Sequence, residues 1–518
     1  MTYETARRRR APALCAAALI GCAAVPAIAG PRFEPVAIPE HVYDGGWEHF
    51  VGGGLAVFDC SGDGLPELLA AGGTNPMTLL RNTSHPGGAL TFEAAAPGAL
   101  SLTGVSGAYP LDIDGDGLLD LAVLRVGENV LLKGGPDCSF APFEGLGFEG
   151  GEDWTTAFSA TWEAGQSLPT LAFGNYVDRD DPNGPFRACD DNALYRPEKA
   201  TYGPPEVLAP GYCPLSMLFS DWGRQGRADL RISNDRHYYV DAGSEQLWAM
   251  TTPPRLYTEA DGWQTHKLWG MGIATRDIDR DGDQDVFLTS MGDQRLQVLV
   301  DSAAGPRFED VPYALGTTAT APYTGGDGRP STGWHVAFGD VDLDGRDDIF
   351  ITKGNVEQMP DSAWDDPNNL LMQGEDGRFV EAGLEAGLAS LLRGRGGALA
   401  DLNGDGLLDV AVVNRRGPME VWQNVTETPG HWLEVALSQP APNTHAVGAW
   451  IELDDGTGSR LREITVGGGH AGGAAVAEHF GLGAAATARL RAIWPDGTIS
   501  PWSEVAADRL VTITRQDR

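Results

Sequence analysis

Asp112-Ile113-Asp114-Gly115-Asp116-Gly117-Leu118-Leu119-Asp120 places carboxylates at positions 1, 3, 5 and 9 of a nine-residue run, with glycine at position 6. In a tightly curled segment, alternate side chains aim their oxygens inward, and glycine supplies a positive φ that a Cβ would resist. Clustered hard oxygens suit Ca²⁺ far better than a thiophilic metal. Aspartate and glycine also crowd into ordinary turns, so one such run proves little. The run recurs as Asp59 to Glu67 (DCSGDGLPE), Asp277 to Asp285 (DIDRDGDQD), Asp340 to Asp348 (DVDLDGRDD) and Asp401 to Asp409 (DLNGDGLLD).

Read as five calcium loops, these runs nominate Asp59, Ser61, Asp63 and Glu67; Asp112, Asp114, Asp116 and Asp120; Asp277, Asp279, Asp281 and Asp285; Asp340, Asp342, Asp344 and Asp348; and Asp401, Asn403, Asp405 and Asp409. Ser61 and Asn403 stand as neutral oxygen donors. An EF-hand loop would need glutamate at position 12, where this chain has Val123 and Ile351. The expected role of the ion is structural: a site of about 10⁻⁴ M at about 1 mM calcium adds roughly 1.4 kcal/mol to folding.

Each run is preceded by a small-residue segment, such as Gly54-Leu55-Ala56, and followed by an apolar β-rich one, such as Asp348-Ile349-Phe350-Ile351-Thr352. The unit is therefore strand, acidic turn, strand. In several units two more strands follow, as in Asn369-Leu370-Leu371 and Arg378-Phe379-Val380 around the turn Gly374 to Gly377. Two worn copies fill the gap between the second and third runs. Asp221 to Asp229 keeps only the first and last acids and the glycine, and Phe158 to Asn175 has Trp162, Ala164, Gln166 and Thr170 at ligand positions. Seven four-stranded units spaced 50 to 63 residues apart predict an all-β, seven-bladed β-propeller over residues 30–430. Residues 176–215, rich in proline, glycine and acids, read as an insertion, and 431–518 as a small β-sandwich-like domain with hairpin turns at Asp455-Gly456 and Asp496-Gly497.

Residues 1–29 read as an export signal with Arg7 to Arg10 basic, Ala11 to Ile20 apolar and cleavage near Ala29. The competing reading is a lipid anchor at Cys22, after Leu19-Ile20-Gly21. No later stretch has the roughly 20 apolar residues of a transmembrane helix. Beyond the signal lie Cys60, Cys138, Cys189 and Cys213, which allow three pairings. Pairing Cys189 with Cys213 staples the proline-rich excursion and leaves Cys60 for Cys138; four free thiols is the alternative. Removing the four arginines and one glutamate of residues 1–29 takes the net charge from −35 to −38. Such acidity repels nucleic acid and anionic membranes.

The repeats resemble the FG-GAP or VCBS repeats of integrin α-chain propellers and of the cartilage acidic protein family. The tail adds an ordered series: Val447-Gly448-Ala449-Trp450, then Arg462-Glu463-Ile464 through Gly467-Gly468-Gly469-His470, then His479-Phe480-Gly481-Leu482-Gly483 and Trp494-Pro495-Asp496-Gly497. That series is similar to the ASPIC/UnbV domain, although Ala471 to Val476 departs from it in lacking polar and aromatic residues. The resemblance implies a binding or adhesion scaffold for protein or polysaccharide.

Gly467 to Gly469 could form a backbone nest for an anion, or simply a tight or mobile turn. No Gly-x-Ser-x-Gly, His-Glu-x-x-His or P-loop motif is present. His237 and His335 read as packing or rim histidines. Two alternatives stay open: a carbohydrate-active enzyme, lyase or hydrolase, working at the propeller mouth, and an accessory factor for maturing or exporting another protein.

Overall fold

The computed structural model describes residues 30–95, 98–181, 188–235, 243–292, 294–357 and 359–516. The expected export signal, the Cys22 anchor and His237 lie outside them. No helix among the described residues is long and apolar enough to cross a membrane.

The strands assemble into seven antiparallel four-stranded blades, the first widened by the parallel strand Ala474–Ala475, followed by a three-stranded and a four-stranded sheet. The innermost strands are Leu55–Phe58, Val105–Leu111, Thr155–Thr161, Pro214–Ser220, Gly270–Arg276, Gly333–Gly339 and Gly394–Ala400. Each touches the next, and Gly394–Ala400 touches Leu55–Phe58, so the ring closes. Closure is completed by Phe33–Val36, which pairs antiparallel with Glu420–Asn424 as the outer strand of the last sheet. The first strand among the described residues thus locks the last blade by covering its outer edge at the seam.

The inner strands are short on large side chains because blades converge towards the axis. Gly107, Ala108, Gly272, Gly397 and Ala398 lie there, while bulk accumulates on the second strands, as with Phe173, Phe287 and Phe350. Strands sandwiched between neighbouring blades are buried on both faces, which is why Val105–Leu111 and Asp285–Ser290 show no exposed alternation. The inner strands of blades two to seven share one irregularity, a register shift near their start, which bends each strand as it enters the ring.

The stretch 176–215 is not an excursion from the third blade. It supplies that blade's outer half, Asn192–Tyr195 and Glu206–Leu208, and adds the small hairpin Pro197–Glu198 with Thr201–Tyr202. Strands this brief, set among prolines, carry too little periodicity to be read. Disulfides join Cys189 to Cys213 and Cys60 to Cys138.

After residue 430, a three-stranded sheet (Glu478–Gly483, His431–Ser438, Arg509–Thr514) packs on a four-stranded one (Ser459–Glu463, Trp450–Asp454, Thr487–Ile493, Ser503–Ala506). Their shared core holds Leu433, Val435, Leu437, Ile451, Phe480 and Trp494. From this domain the segment Val466 to Ala475 runs into the propeller axis. It bridges in turn to Ala160, Leu218, Ile273, Ala108 and Val57, on the inner strands of five blades.

Candidate metal centre

Each acidic run lies where an inner strand turns back into its neighbour, and in the last four of the five runs the first and ninth acids do the same two jobs, whereas Glu67 of the first run ties only the loop's start, through Cys60 N–H at 2.9 Å. Asp112 accepts from the N–H of Gly115, Asp116 and Gly117 at 2.9, 3.2 and 2.9 Å, which curls the loop. Asp120 accepts from Ile113 N–H and from Gly134 N–H, both at 2.8 Å, tying the loop's start to the third strand. Asp285 does likewise with Ile278 and Leu299 (3.0 and 3.2 Å), Asp348 with Val341 and Gln373 (3.1 and 2.9 Å), and Asp409 with Leu402 and Asn424 (2.9 and 2.8 Å). The sixth-position glycines Gly64, Gly117, Gly282, Gly345 and Gly406 all have φ between +86° and +92°, the left-handed region where a Cβ would be strained.

With these bonds made, oxygens remain. Asp112, Asp114 and Asp120, then Asp277, Asp279 and Asp285, then Asp340, Asp342 and Asp344, each offer oxygens within 4.8 Å of one another. In each group one buried oxygen has no hydrogen-bond partner: Asp114 Oδ1, Asp277 Oδ1 and Asp342 Oδ1; the first loop has the same in Glu67 Oε1. Burial is the first cause that pushes Asp285 up to about 8, Glu67 and Asp120 to about 7, and Asp277, Asp344 and Asp401 to about 6. Crowded, dehydrated carboxylates resist ionising until a cation joins them. The donor set, all oxygen, fits a hard divalent ion.

The loops are not equivalent. Lys133 places its ammonium against Asp114 and, at 2.8 Å, Asp116, and Arg346 pairs with Asp344. In the first loop Ser61 Oγ donates to Asp59 at 3.2 Å and Asp63 accepts from Leu65 N–H at 2.9 Å; the sulfurs of Cys60 and Cys138 beside Glu67 are consumed in the disulfide. In the last loop Asn403 turns its amide to Gly88 O (2.7 Å) and Asp405 (3.0 Å), and no three-acid group forms there among the described residues. Asp281, like Asp63, accepts from the N–H two residues on, at 2.8 Å.

The worn copies show what replaces an ion. Asp221 and Asp229 keep their backbone bonds, to Gln225 and Gly226 and to Met250 (2.8, 2.7 and 2.9 Å), while Arg227 pairs with Asp229 at 2.7 Å. In the third blade Arg196 pairs with Glu163 at 2.7 Å. Trp162 and Trp222 pack into the adjoining apolar clusters.

What sequence reasoning missed is the cover over these loops. Thr444 donates to Asp112, Glu463 accepts from Ser220 Oγ and Asp221 N–H (2.6 and 2.7 Å), and buried Arg462 pairs with Asp347 at 2.8 Å while lying 3.9 Å over the Phe480 ring. The Arg-Glu pair and the Gly-rich segment were the visible signals. Gly467 to Gly469 are neither an anion nest nor a mobile turn: Gly468 and Gly469 donate their N–H to Met217 O and Ile273 O, both at 2.7 Å. His335 sits on the axis, not the rim, where its Nδ1 accepts from His470 N–H at 3.2 Å, and burial lowers it to about 4.

Two family models match this chain. Residues 59–123 match the FG-GAP-like repeat, and residues 439–518 match ASPIC and UnbV. Among curated proteins, cartilage acidic protein 1 of Xenopus tropicalis is 30% identical over 240 residues, 44% of this chain and 34% of that protein. The Mus musculus protein of the same name is 28% identical, over 44% of this chain and 34% of its own length. The chain therefore spans about a third of the relatives it matches. Among solved structures, that of BBS1N in complex with ARL6DN, soaked with lead, covers 77% of this chain and 99% of its own at 9% identity and a TM-score of 0.44.

Proposed function

We propose that this chain is an exported β-propeller scaffold, stabilised by structural calcium, that binds a protein or polysaccharide and performs no chemistry of its own. The observation that carries the calcium reading is the recurrence of one buried, unpartnered carboxylate oxygen in each of four loops, at Glu67, Asp114, Asp277 and Asp342. A buried carboxylate oxygen without a hydrogen bond is costly, and one in each of four loops calls for a common ligand. The two disulfides fit an oxidising, extracytoplasmic compartment, as does the likeness to cartilage acidic protein 1.

The scaffold reading is supported by how the ring is filled. Its axis is filled by Val466 to Ala475. The end away from the acidic loops is closed by Trp47, Phe50, Trp154 and Tyr176 in edge-to-face contact, with ring centroids 5.0 to 6.0 Å apart across Trp47–Trp154, Phe50–Trp154, Phe50–Tyr176 and Trp154–Tyr176. Recognition then falls to outer surfaces held rigid by the ring.

Native mass spectrometry of residues 30–518 in calcium tests the metal assignment. Four or five ions per chain are expected, with Asp279→Asn and Asp342→Asn each lowering the count by one. A chain that takes up no calcium, or variants that keep the full count, would overturn it.

A further inference from the structure

The outer strands of the blades run only two to four residues, and two of them, Phe33–Val36 and Ser139–Pro142, carry a proline; short or proline-bearing edges recruit foreign strands poorly. The free flank of the C-terminal domain has no such protection. Its two outermost strands there, Ser503–Ala506 and Arg509–Thr514, each pair on one side only, with Thr487–Ile493 and His431–Ser438 respectively. The opposite edges, Ser459–Glu463 and Glu478–Gly483, face the propeller, where Arg462 pairs with Asp347 and the His479 ring lies 2.8 Å from Gly406 O. Arg509–Thr514 (RLVTIT) is six residues of β-favouring sequence without proline, glycine or lysine. Between the two free edges opens a groove of about 870 Å³, where Val505, Val511 and Ile513 leave the domain's core half-buried and Ile499 stands exposed. Arg515 is the one charged side chain lining it, and it pairs with Asp496. Arg509, exposed at the start of the strand, reaches Ala507 O at 3.5 Å and no acid among the described residues.

We propose that this flank binds an extended segment of a partner protein, added as a further strand beside Arg509–Thr514, with apolar side chains at alternate positions over Val511 and Ile513 and a carboxylate against Arg509. This assignment rests on the scaffold reading and narrows the partner to a protein. The one-sided pairing of the edge leaves backbone N–H and C=O groups that a strand completes, while the groove beside it takes every second side chain. Arg509, without an acid of its own, sets the charge of the incoming strand. A second copy of the chain fits less well. Antiparallel self-pairing centred on Thr512, the register that overlaps the whole strand, would set Arg509 opposite the second copy's Arg515, and two chains of net charge −35 repel.

The test is isothermal titration calorimetry on residues 30–518 in constant calcium, with the capped peptide Asp-Thr-Val-Thr-Val-Thr-Asp as probe. Its sequence reads the same both ways, so it offers valines to Val511 and Ile513 and an aspartate to Arg509 in either strand direction. Binding is expected with a Kd below about 1 mM, and amide exchange over Arg509–Thr514 should slow at saturation. N-methylating one alternate set of the peptide's amides should abolish binding, and methylating the other set, which faces solvent, should spare it. Arg509→Glu should weaken binding about fivefold with a melting temperature near the parent's. No binding, equal effects of the two methylations, unaltered exchange over Arg509–Thr514, unchanged affinity in Arg509→Glu, or a chain already dimeric through this strand would overturn the proposal. Calcium counted by native mass spectrometry on the same sample tests the scaffold reading separately.

Discussion

Asp120 and its equivalents carry two roles on one carboxylate. Their N–H bonds shape the loop, and their burial makes the charge unwelcome unless a cation arrives. The pH dependence of the metal-free protein follows. Glu67, Asp120 and Asp285, raised by burial to about 7, 7 and 8, hold protons in the folded state that the unfolded chain releases near its ordinary value of about 4. Folded-state stability is thus fully present below about pH 4 from this source and is lost as pH rises through about 8. Metal-stripped protein should melt at a lower temperature at pH 8 than at pH 5.5. Calcium should erase or reverse that trend, because the ion binds the deprotonated loops. Differential scanning calorimetry of the stripped and loaded forms checks both.

At the scale of elements, the segment Val466 to Ala475 depends on bare backbone around it. A Cβ on Gly54 or Gly107 would stand 1.8 Å from the carbonyl oxygen of Ala471. Gly107→Ala should therefore expel or distort the segment, costing about 1–3 kcal/mol by overpacking, and hydrogen exchange at Gly468 and Gly469 should quicken. Unchanged exchange with unchanged stability would mean the segment does not occupy the axis. This element also marks how far the sequence could be read. The acidic loops were legible because each packs its signal into nine consecutive residues, and the blades because strand, turn, strand repeats around them. The axis segment was not, since Gly467-Gly468-Gly469 looks the same whether it turns in solvent or threads five inner strands. Asn192–Tyr195 was hidden for a related reason: four residues among prolines carry no period. The worn loop at Asp221 was legible as a departure, but its replacement by Arg227 was not.

The whole molecule is a ring closed three ways. Phe33–Val36 completes the last blade, the Cys60–Cys138 disulfide joins the first acidic loop to the second blade across 78 residues of chain, and the C-terminal domain reaches both the axis and the loop face. Cooperativity follows from that arrangement, since loosening one loop disturbs a strand junction, a blade contact and the covering domain together. Metal should then act on the melting of the whole chain instead of on one part. The most direct measurement is thermal unfolding of residues 30–518 in excess chelator and again in millimolar calcium, with bound metal counted in parallel. A single transition that rises by on the order of ten degrees with four or five ions bound is the predicted result. An unshifted transition with no metal bound would mean that the acidic runs are turns and nothing more.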